Sequence, residues 1–363
     1  MMNTQNESIE MYKEMCLQLA SENLRLKHEL EMREQNTKTP INEYFDQWLN
    51  IKKNKVKPST YSGYKIHIEK HFKPFFKDFY LETITSTDIE RYLSSKLDDG
   101  LSAQTVKSHR STLRTIFSFA YKHNDVKENL VKKTDAVKTD KFDYHTLSFA
   151  EILRLLEVAK CLNDYPPVLL SSLLGLRRSE ALGLRWKDIN FEKRVAYIRS
   201  TYVRTYDVEG HKNNLVLSES TKNASSRRSI PLSDFVVSEL KKIKQQQSER
   251  AKSPKYSKQN LEYVCLGKYG GLINPQNLSR HFKKILKDND FDTSVRFHDL
   301  RHSCATFLHE EFGFDLKDVS LYLGHSDVKT TGNIYIHGKV NKKIADTINN
   351  NLKSCYSILP KVC

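Results

Sequence analysis

The sequence predicts a mainly α-helical protein with one small antiparallel β-sheet. Apolar residues recur in steps of three and four along most of the chain, the period of a helix with one buried face. Only two short stretches, RVAYIRSTYVR at 194–204 and LVL at 215–217, have the β-branched and aromatic content of strands, with a turn at Asp207-Val-Glu-Gly210 between them. A Ser-x-x-Glu capping box at Ser148 and Glu151 marks the start of a helix, because each side chain satisfies the other residue's free amide.

The chain of 363 residues accommodates two or three domains and a substantial core. With 59 Lys+Arg against 44 Asp+Glu the net charge is +15, which favours a polyanionic partner. A hydrophobic content of 38% excludes disorder throughout. There is no run of about 18 uncharged apolar residues, and the N-terminus lacks a basic segment followed by an apolar one. The expectation is therefore a cytoplasmic protein that neither spans nor contacts a membrane. The six cysteines (16, 161, 265, 304, 355 and 363) are scattered, with no zinc-ligand spacing. They read as reduced thiols, and no metal or other cofactor is expected.

Taken in order, residues 1–36 form one amphipathic segment. Ile9, Tyr12, Cys16, Leu19, Asn23, Leu26 and Leu30 alternate in steps of three and four, a heptad seam with Asn23 at an a position. Dimerisation through residues 9–30 competes here with a helix folded onto its own chain. A polar linker ends at Pro40, and residues 41–130 read as a helical domain rich in basic and aromatic residues. Ile41, Tyr44, Phe45 and Trp48 share one helix face, and Pro58-Ser59-Thr60 opens the next helix. That helix turns Tyr61, Tyr64, Ile68 and Phe72 inward, with Lys65, His67, Lys70 and His71 among them. A third helix starts at Thr87-Asp88, and a fourth at Ser102 runs through Val106, Leu113, Ile116, Phe117 and Ala120. The density of basic residues points to a DNA-facing surface. Residues 131–145 read as an exposed linker, and 146–355 as a second domain ending in a tail helix with an Ile344, Ile348, Leu352 stripe.

Four segments of the second domain carry the chemistry: LGLRRSEALGLRW at 174–186, TKNASSRRSIP at 221–231, HDLRH at 298–302, and LGHS at 323–326 followed by TTGNIYIH at 330–337. In this order they closely resemble the tyrosine recombinase, or phage integrase, family, loosely in the helical N-terminal domain and strongly over about 145–340. Beyond the N-terminal helical coil read from its heptads, the resemblance implies a SAM-like core-binding domain and an α+β catalytic domain.

The residue types suit the chemistry independently. Cutting DNA by transesterification requires a nucleophile, charge neutralisation at a phosphorane-like transition state, and a proton donor for the leaving 5′ oxygen. Guanidinium groups stay charged and grip two phosphate oxygens at once, which makes Arg177 and Arg301 the two candidates. Arg178 is set aside because the resemblance aligns the first arginine after Gly-Leu. His298 lies three residues before Arg301 on a helix start, so both address one phosphate. By resemblance Lys222 protonates the 5′ oxygen, with Lys212, Arg227 and Arg228 as competing candidates or phosphate contacts. His298 exchanges a proton with the nucleophile, and His325, just after Gly324, bonds a non-bridging oxygen. Tyr335, ten residues beyond His325, matches the family nucleophile, and Tyr322 reads as packing. Glu180, one turn from Arg177, orients it, while His302 and His337 read as structural.

The resemblance therefore implies a site-specific recombinase acting on double-stranded DNA as a homotetramer through a 3′-phosphotyrosine, for integration or excision of a mobile element. An accessory DNA-bending or excision factor is a further expected partner. The tail stripe packs on its own domain or docks on a neighbouring protomer, the latter favoured by the resemblance. Alternatives are a Xer-like chromosome or plasmid resolvase, a type IB topoisomerase-like relaxing enzyme, and an inactive DNA-binding regulator.

Overall fold

The computed structural model describes residues 15, 17–27, 38–139, 144–206, 213–218, 228–324 and 334–356. The chain divides into two compact units, Met1–Lys141 and Phe142–Cys363.

In the first unit, α1 (Ile41–Lys52), α2 (Pro58–His67), α3 (Ser86–Asp98) and α4 (Ala103–Lys122) enclose an aromatic core. Pro58 opens α2 at a position where its missing N–H costs nothing. α3 begins slightly earlier than the sequence predicts. Thr85 is the cap: its hydroxyl accepts the Asp88 amide at 3.2 Å, and the Asp88 carboxylate accepts the Thr85 amide at 2.9 Å. Ser102 caps α4 as expected. Phe45, Trp48, Ile68, Phe72, Phe76, Tyr92 and Phe117 are fully buried, each worth roughly 1.5–3 kcal/mol of transfer free energy or more.

Two expectations for this unit are corrected. His67 and His71 do not join the basic surface; their rings lie 4.5 and 4.6 Å from the buried His109. Tyr92 Oη and His109 Nδ1 share a hydrogen bond of 2.8 Å. Burial, with neighbouring imidazoles second, lowers His67 to about 4 and His109 to about 3, so both are uncharged core residues at neutral pH. The exposed linker, moreover, does not begin at residue 131. Val131 is fully buried, and Arg110 donates to the carbonyls of Val131 and Thr134 at 3.0 and 2.7 Å. One apolar side chain and one arginine suffice to anchor a stretch that shows no period.

Ahead of this unit, residues 15 and 17–27 are helical. Leu19 and Leu26, both on the heptad seam, are 57% and 48% exposed, so this segment does not fold back on its own chain.

The second unit opens with the predicted Ser148–Glu151 capping box, at the start of α5 (Phe149–Ala159). α6 (Tyr165–Leu173) is buried along its whole length, and the short α7 (Arg178–Gly183) follows. Strands β1 (Ile189–Asn190), β2 (Val195–Ile198) and β5 (Arg228–Pro231) form a three-stranded antiparallel sheet in the order β1-β2-β5. β3 (Thr201–Tyr206) and β4 (Asn213–Ser218) form a separate hairpin. The single strand-like stretch at 194–204 is thus two strands in two sheets, broken where Ser200 turns inward to donate to the Gly183 carbonyl at 2.7 Å. Four helices complete the unit: α8 (Asp234–Arg250), α9 (Pro275–Asp288), α10 (Asp299–Thr306) and α11 (Leu316–Leu323), followed by the tail helix α12 (Ile334–Tyr356).

In the single chain the tail helix packs on its own unit. Ile344, Ile348 and Leu352 are 0–2% exposed within the core of their own unit, and Asn349 accepts the Phe235 amide at 3.3 Å. The stripe favoured for docking on a neighbouring protomer packs in cis, because α8 and β5 offer it a complementary apolar face.

Candidate active site

Arg177 and Arg301 come from segments more than a hundred residues apart, and two glycines let them meet. Gly175 ends the α6 connection at φ +59°, and a Cβ there would lie 2.1 Å from Leu323 Cδ2. Only glycine lets this backbone approach α11 so closely. Arg301, in the first turn of α10 and 3% exposed, fastens the junction: Nη1 donates to the Gly175 carbonyl at 2.6 Å and Nη2 to the Leu323 carbonyl at 2.8 Å. Gly324, at φ +72°, is the left-handed cap that ends α11, as the Gly-His pattern predicts. Arg177 Nη2 donates to its carbonyl at 3.3 Å.

Arg177 immediately precedes α7, and Glu180 reaches back to it. The carboxylate accepts the Arg177 backbone amide at 3.0 Å and Nη1 at 2.8 Å, which supports the orienting role read from the i, i+3 spacing. Glu180 also accepts two bonds from Arg228, at 3.2 and 2.9 Å. Burial alone would raise the Glu180 pKa; Arg228 first and Arg177 second overcome it and hold the carboxyl down to about 2. Burial, then the charges of Arg177 and Arg228, push Arg301 down to about 9, still a cation at neutral pH.

His298 caps α10 at the edge of the same site. Neighbouring Asp299 is fully buried and binds Arg296 through its amide at 2.7 Å and its guanidinium at 2.9 and 2.7 Å, which anchors the start of the helix. His298 itself is exposed. Partial burial, then the charges of His302 and Arg301, lower its pKa below the ordinary histidine value, so it is neutral near pH 7. His302 lies ring to ring against it at 5.4 Å and against Tyr144 at 4.4 Å, which fits the structural role expected of it. Tyr322 is packing, as expected: it is 1% exposed, with its hydroxyl 3.5 Å from the Leu173 carbonyl.

Arg177 and His298 face one cavity of about 820 Å³ whose wall also includes Arg178, Arg280, Lys283 and Arg296, with no carboxylate residue in the lining. Arg178, set aside in the sequence in favour of Arg177, thus lines the same cavity beside it, its Nη1 donating to Ser279 at 2.6 Å. Arg280 and Lys283 on α9 escaped notice too. Their i, i+3 spacing was the available signal, but only the fold shows that this face turns toward Arg177. A cationic recess of this kind suits a chain of phosphodiesters.

Of the six expected catalytic residues, the structure brings Arg177, His298 and Arg301 together. Lys222 and His325 lie outside the described residues. Tyr335 is placed by its backbone in the first turn of α12. Among the described residues, no cluster of His, Cys, Asp or Glu is suited to a metal ion, and no helix is long and apolar enough to cross a membrane.

Comparison with known proteins gives a consistent result. Residues 145–342 match the phage integrase family, and residues 41–97 match the phage integrase N-terminal SAM-like domain. A tyrosine recombinase XerC-like protein of Caldanaerobacter subterraneus subsp. tengcongensis is 30% identical over 307 residues, spanning 80% of this chain and 77% of that protein. The ICEBs1 integrase of Bacillus subtilis is 27% identical over 300 residues, spanning 79% and 76%. Among solved structures, the Tn1549 transposon integrase in complex with transposon right end DNA superposes with a TM-score of 0.66 at 17% identity, over 84% of this chain and 99% of that one. A lambda integrase tetramer bound to a Holliday junction gives 0.60 at 20% identity, over 83% of each chain.

Proposed function

The chain belongs to the phage integrase family, the tyrosine-type recombinases that break and rejoin DNA at specific sites, and from that premise we propose that it integrates and excises a mobile element using Tyr335 as nucleophile. The observation that carries the reading is the convergence of Arg177, Arg301 and neutral His298 beside one cationic cavity. The relatives that favour a mobile element are the ICEBs1 and Tn1549 integrases.

In the proposed reaction the Tyr335 oxygen attacks the scissile phosphorus while its proton passes to the His298 imidazole. A tyrosyl O–P bond forms as the bond to the 5′ oxygen breaks, and that oxygen leaves as a hydroxyl with a proton from Lys222. Arg177 and Arg301 neutralise the charge that builds on the non-bridging oxygens, one of which His325 also bonds. The 5′ hydroxyl of a second strand reverses these steps, so the bond energy is conserved throughout.

This role for His298 fixes the sign of a pH dependence. The imidazole must be neutral to accept the proton, and its pKa is lowered from the ordinary 6.5. Cleavage is expected to hold steady through pH 7 and to fall only on a limb centred below 6.5. A single-turnover pH profile tests this; a limb centred at or above 6.5 would contradict the assignment.

Double-stranded DNA is the partner, and we propose a homotetramer on paired sites, with the exposed helix at 15 and 17–27 pairing two copies through Leu19, Asn23 and Leu26. Sedimentation of the full chain should show four protomers on synapsed DNA and a dimer without DNA that is lost on deletion of residues 1–36. A free protein that sediments as a monomer at every concentration would refute the helix pairing.

A second reading, a resolvase of the XerC kind, is favoured by the XerC-like relative. One experiment serves both: the protein is mixed with nicked duplexes spanning either the ends of the element that encodes it or a chromosomal resolution site, and the covalent adduct is run on a denaturing gel. Adduct on element ends supports the integrase, adduct only on the chromosomal site supports the resolvase, and binding without adduct on both overturns both readings in favour of a regulator.

A further inference from the structure

Resting on the recombinase reading, we propose that Arg228 is a positioning residue for strand cleavage: by neutralising Glu180 it leaves Arg177 a net positive charge to spend on the scissile phosphate.

Glu180 is 3% exposed and shares its carboxylate between two guanidiniums. Oε1 accepts Arg177 Nη1 at 2.8 Å and Arg228 Nη1 at 3.2 Å; Oε2 accepts the Arg177 backbone amide at 3.0 Å and Arg228 Nη2 at 2.9 Å. With Arg177 as its only partner, Glu180 would form a closed pair of zero net charge, holding the arginine rigidly but cancelling what makes it useful. The second guanidinium makes the cluster +1. It also occupies the carboxylate with a two-pronged bond, so that Arg177 is oriented through one prong and keeps Nη2 on the Gly324 side.

Arg228 sets its charge against a carboxylate, whereas Arg301 binds two neutral carbonyls and keeps its own. The Arg228 side chain is 9% exposed, and both terminal nitrogens are committed to Glu180. The ladder pair Ile198↔Arg228 at the start of β5 sets its backbone. Gly324 closes over it: a Cβ there would lie 2.8 Å from Arg228 Cδ and 3.2 Å from Nε. Among the described residues its Nε–H meets no acceptor, an unsatisfied buried donor that a purely structural arginine would be expected to avoid. Arg228 further depresses the pKa of Arg301, so its charge is felt at both phosphate-binding arginines. Sequence reasoning left Arg228 as a rival to Lys222 or a phosphate contact; its burial against Glu180 excludes both for the protein without DNA.

The test is a double-mutant cycle on the full chain, read as the rate of covalent adduct formation at saturating nicked DNA and as the DNA concentration giving half that rate. Arg228→Gln leaves Glu180 uncompensated, and the rate is expected to fall about a hundredfold with the half-saturating concentration little changed. Adding Glu180→Gln removes the surplus negative charge, and Arg228→Gln/Glu180→Gln should recover at least about tenfold of that loss. Arg228→Lys keeps the charge without the fork and should stay within about tenfold of wild type. Melting temperatures accompany each variant, so that if Arg228→Gln alone does not fold, the lysine variant and the double variant still decide. The inference is overturned if the wild type forms adduct and Arg228→Gln matches its rate, if the double variant is slower than either single one, or if folded Arg228→Lys is as slow as Arg228→Gln. Absence of adduct with the wild type would instead overturn the recombinase reading on which it rests.

Discussion

Tyr335→Phe is expected to bind duplex DNA as the wild type does and to form no covalent adduct. Removing one oxygen takes away the nucleophile and leaves the apolar ring, and in the proposed mechanism Arg177 and Arg301 still neutralise phosphate. Loss of adduct should be complete on the gel, because phenylalanine has no oxygen to bond the phosphorus, and water attacking in its place would cut the strand without joining it to the protein. The best-described alternative, Tyr322, lies 1% exposed on the buried face of α11 with burial driving its pKa up, so it is neither reachable nor easily ionised. DNA affinity, measured in parallel at two salt concentrations, should show the same steep salt dependence for both proteins, since that slope counts phosphate contacts. An adduct that survives in Tyr335→Phe would move the nucleophile to another residue, and an adduct that neither protein forms would remove the enzymatic reading altogether.

What the sequence made legible here was of two kinds. Caps and periodic faces are local, so Ser102, the Ser148–Glu151 box and the Gly324 stop were visible from a few neighbouring residues. The paired motifs around Arg177, His298 and Arg301 were visible because the chemistry demands particular residue types, and the family resemblance supplied their order. The rest depends on partners distant in sequence. Nothing near His67 announces that His109, 42 residues on, will meet it edge to face in a core, and His67 therefore looked like basic surface. Nothing near Arg228 announces Glu180, 48 residues earlier, so a counter-ion was indistinguishable from a phosphate contact. Val131 shows the same limit in the core: a single apolar residue carries no period, and only its burial reveals that the first unit continues past residue 130.

Arg301→Lys should be nearly as damaging as loss of the nucleophile, lowering the cleavage rate by about 10³-fold or more, although it nominally keeps the charge. Arg301 does two things at once. Its two terminal nitrogens bind the Gly175 and Leu323 carbonyls, which draws the Arg177 segment onto the end of α11, and because both acceptors are neutral its charge is left for the phosphate in the proposed reaction. A lysine has one nitrogen and no fork, so at least one of these buried carbonyls goes unpaired, at a cost of about 1–3 kcal/mol. Charge fares no better. Burial beside Arg177 and Arg228 already pushes the guanidinium down to about 9. An ammonium starts about two pH units lower than a guanidinium and enters the same surroundings, so it titrates close to neutrality. Because the lysine acts only when protonated, the residual activity of Arg301→Lys should decline as pH rises from 7 to 8, where the wild type stays nearly level. Single-turnover cleavage across that range, with melting temperatures recorded at each pH, separates this from simple unfolding. A folded Arg301→Lys that cleaves within tenfold of wild type, with no decline toward pH 8, would show that the phosphate is held elsewhere.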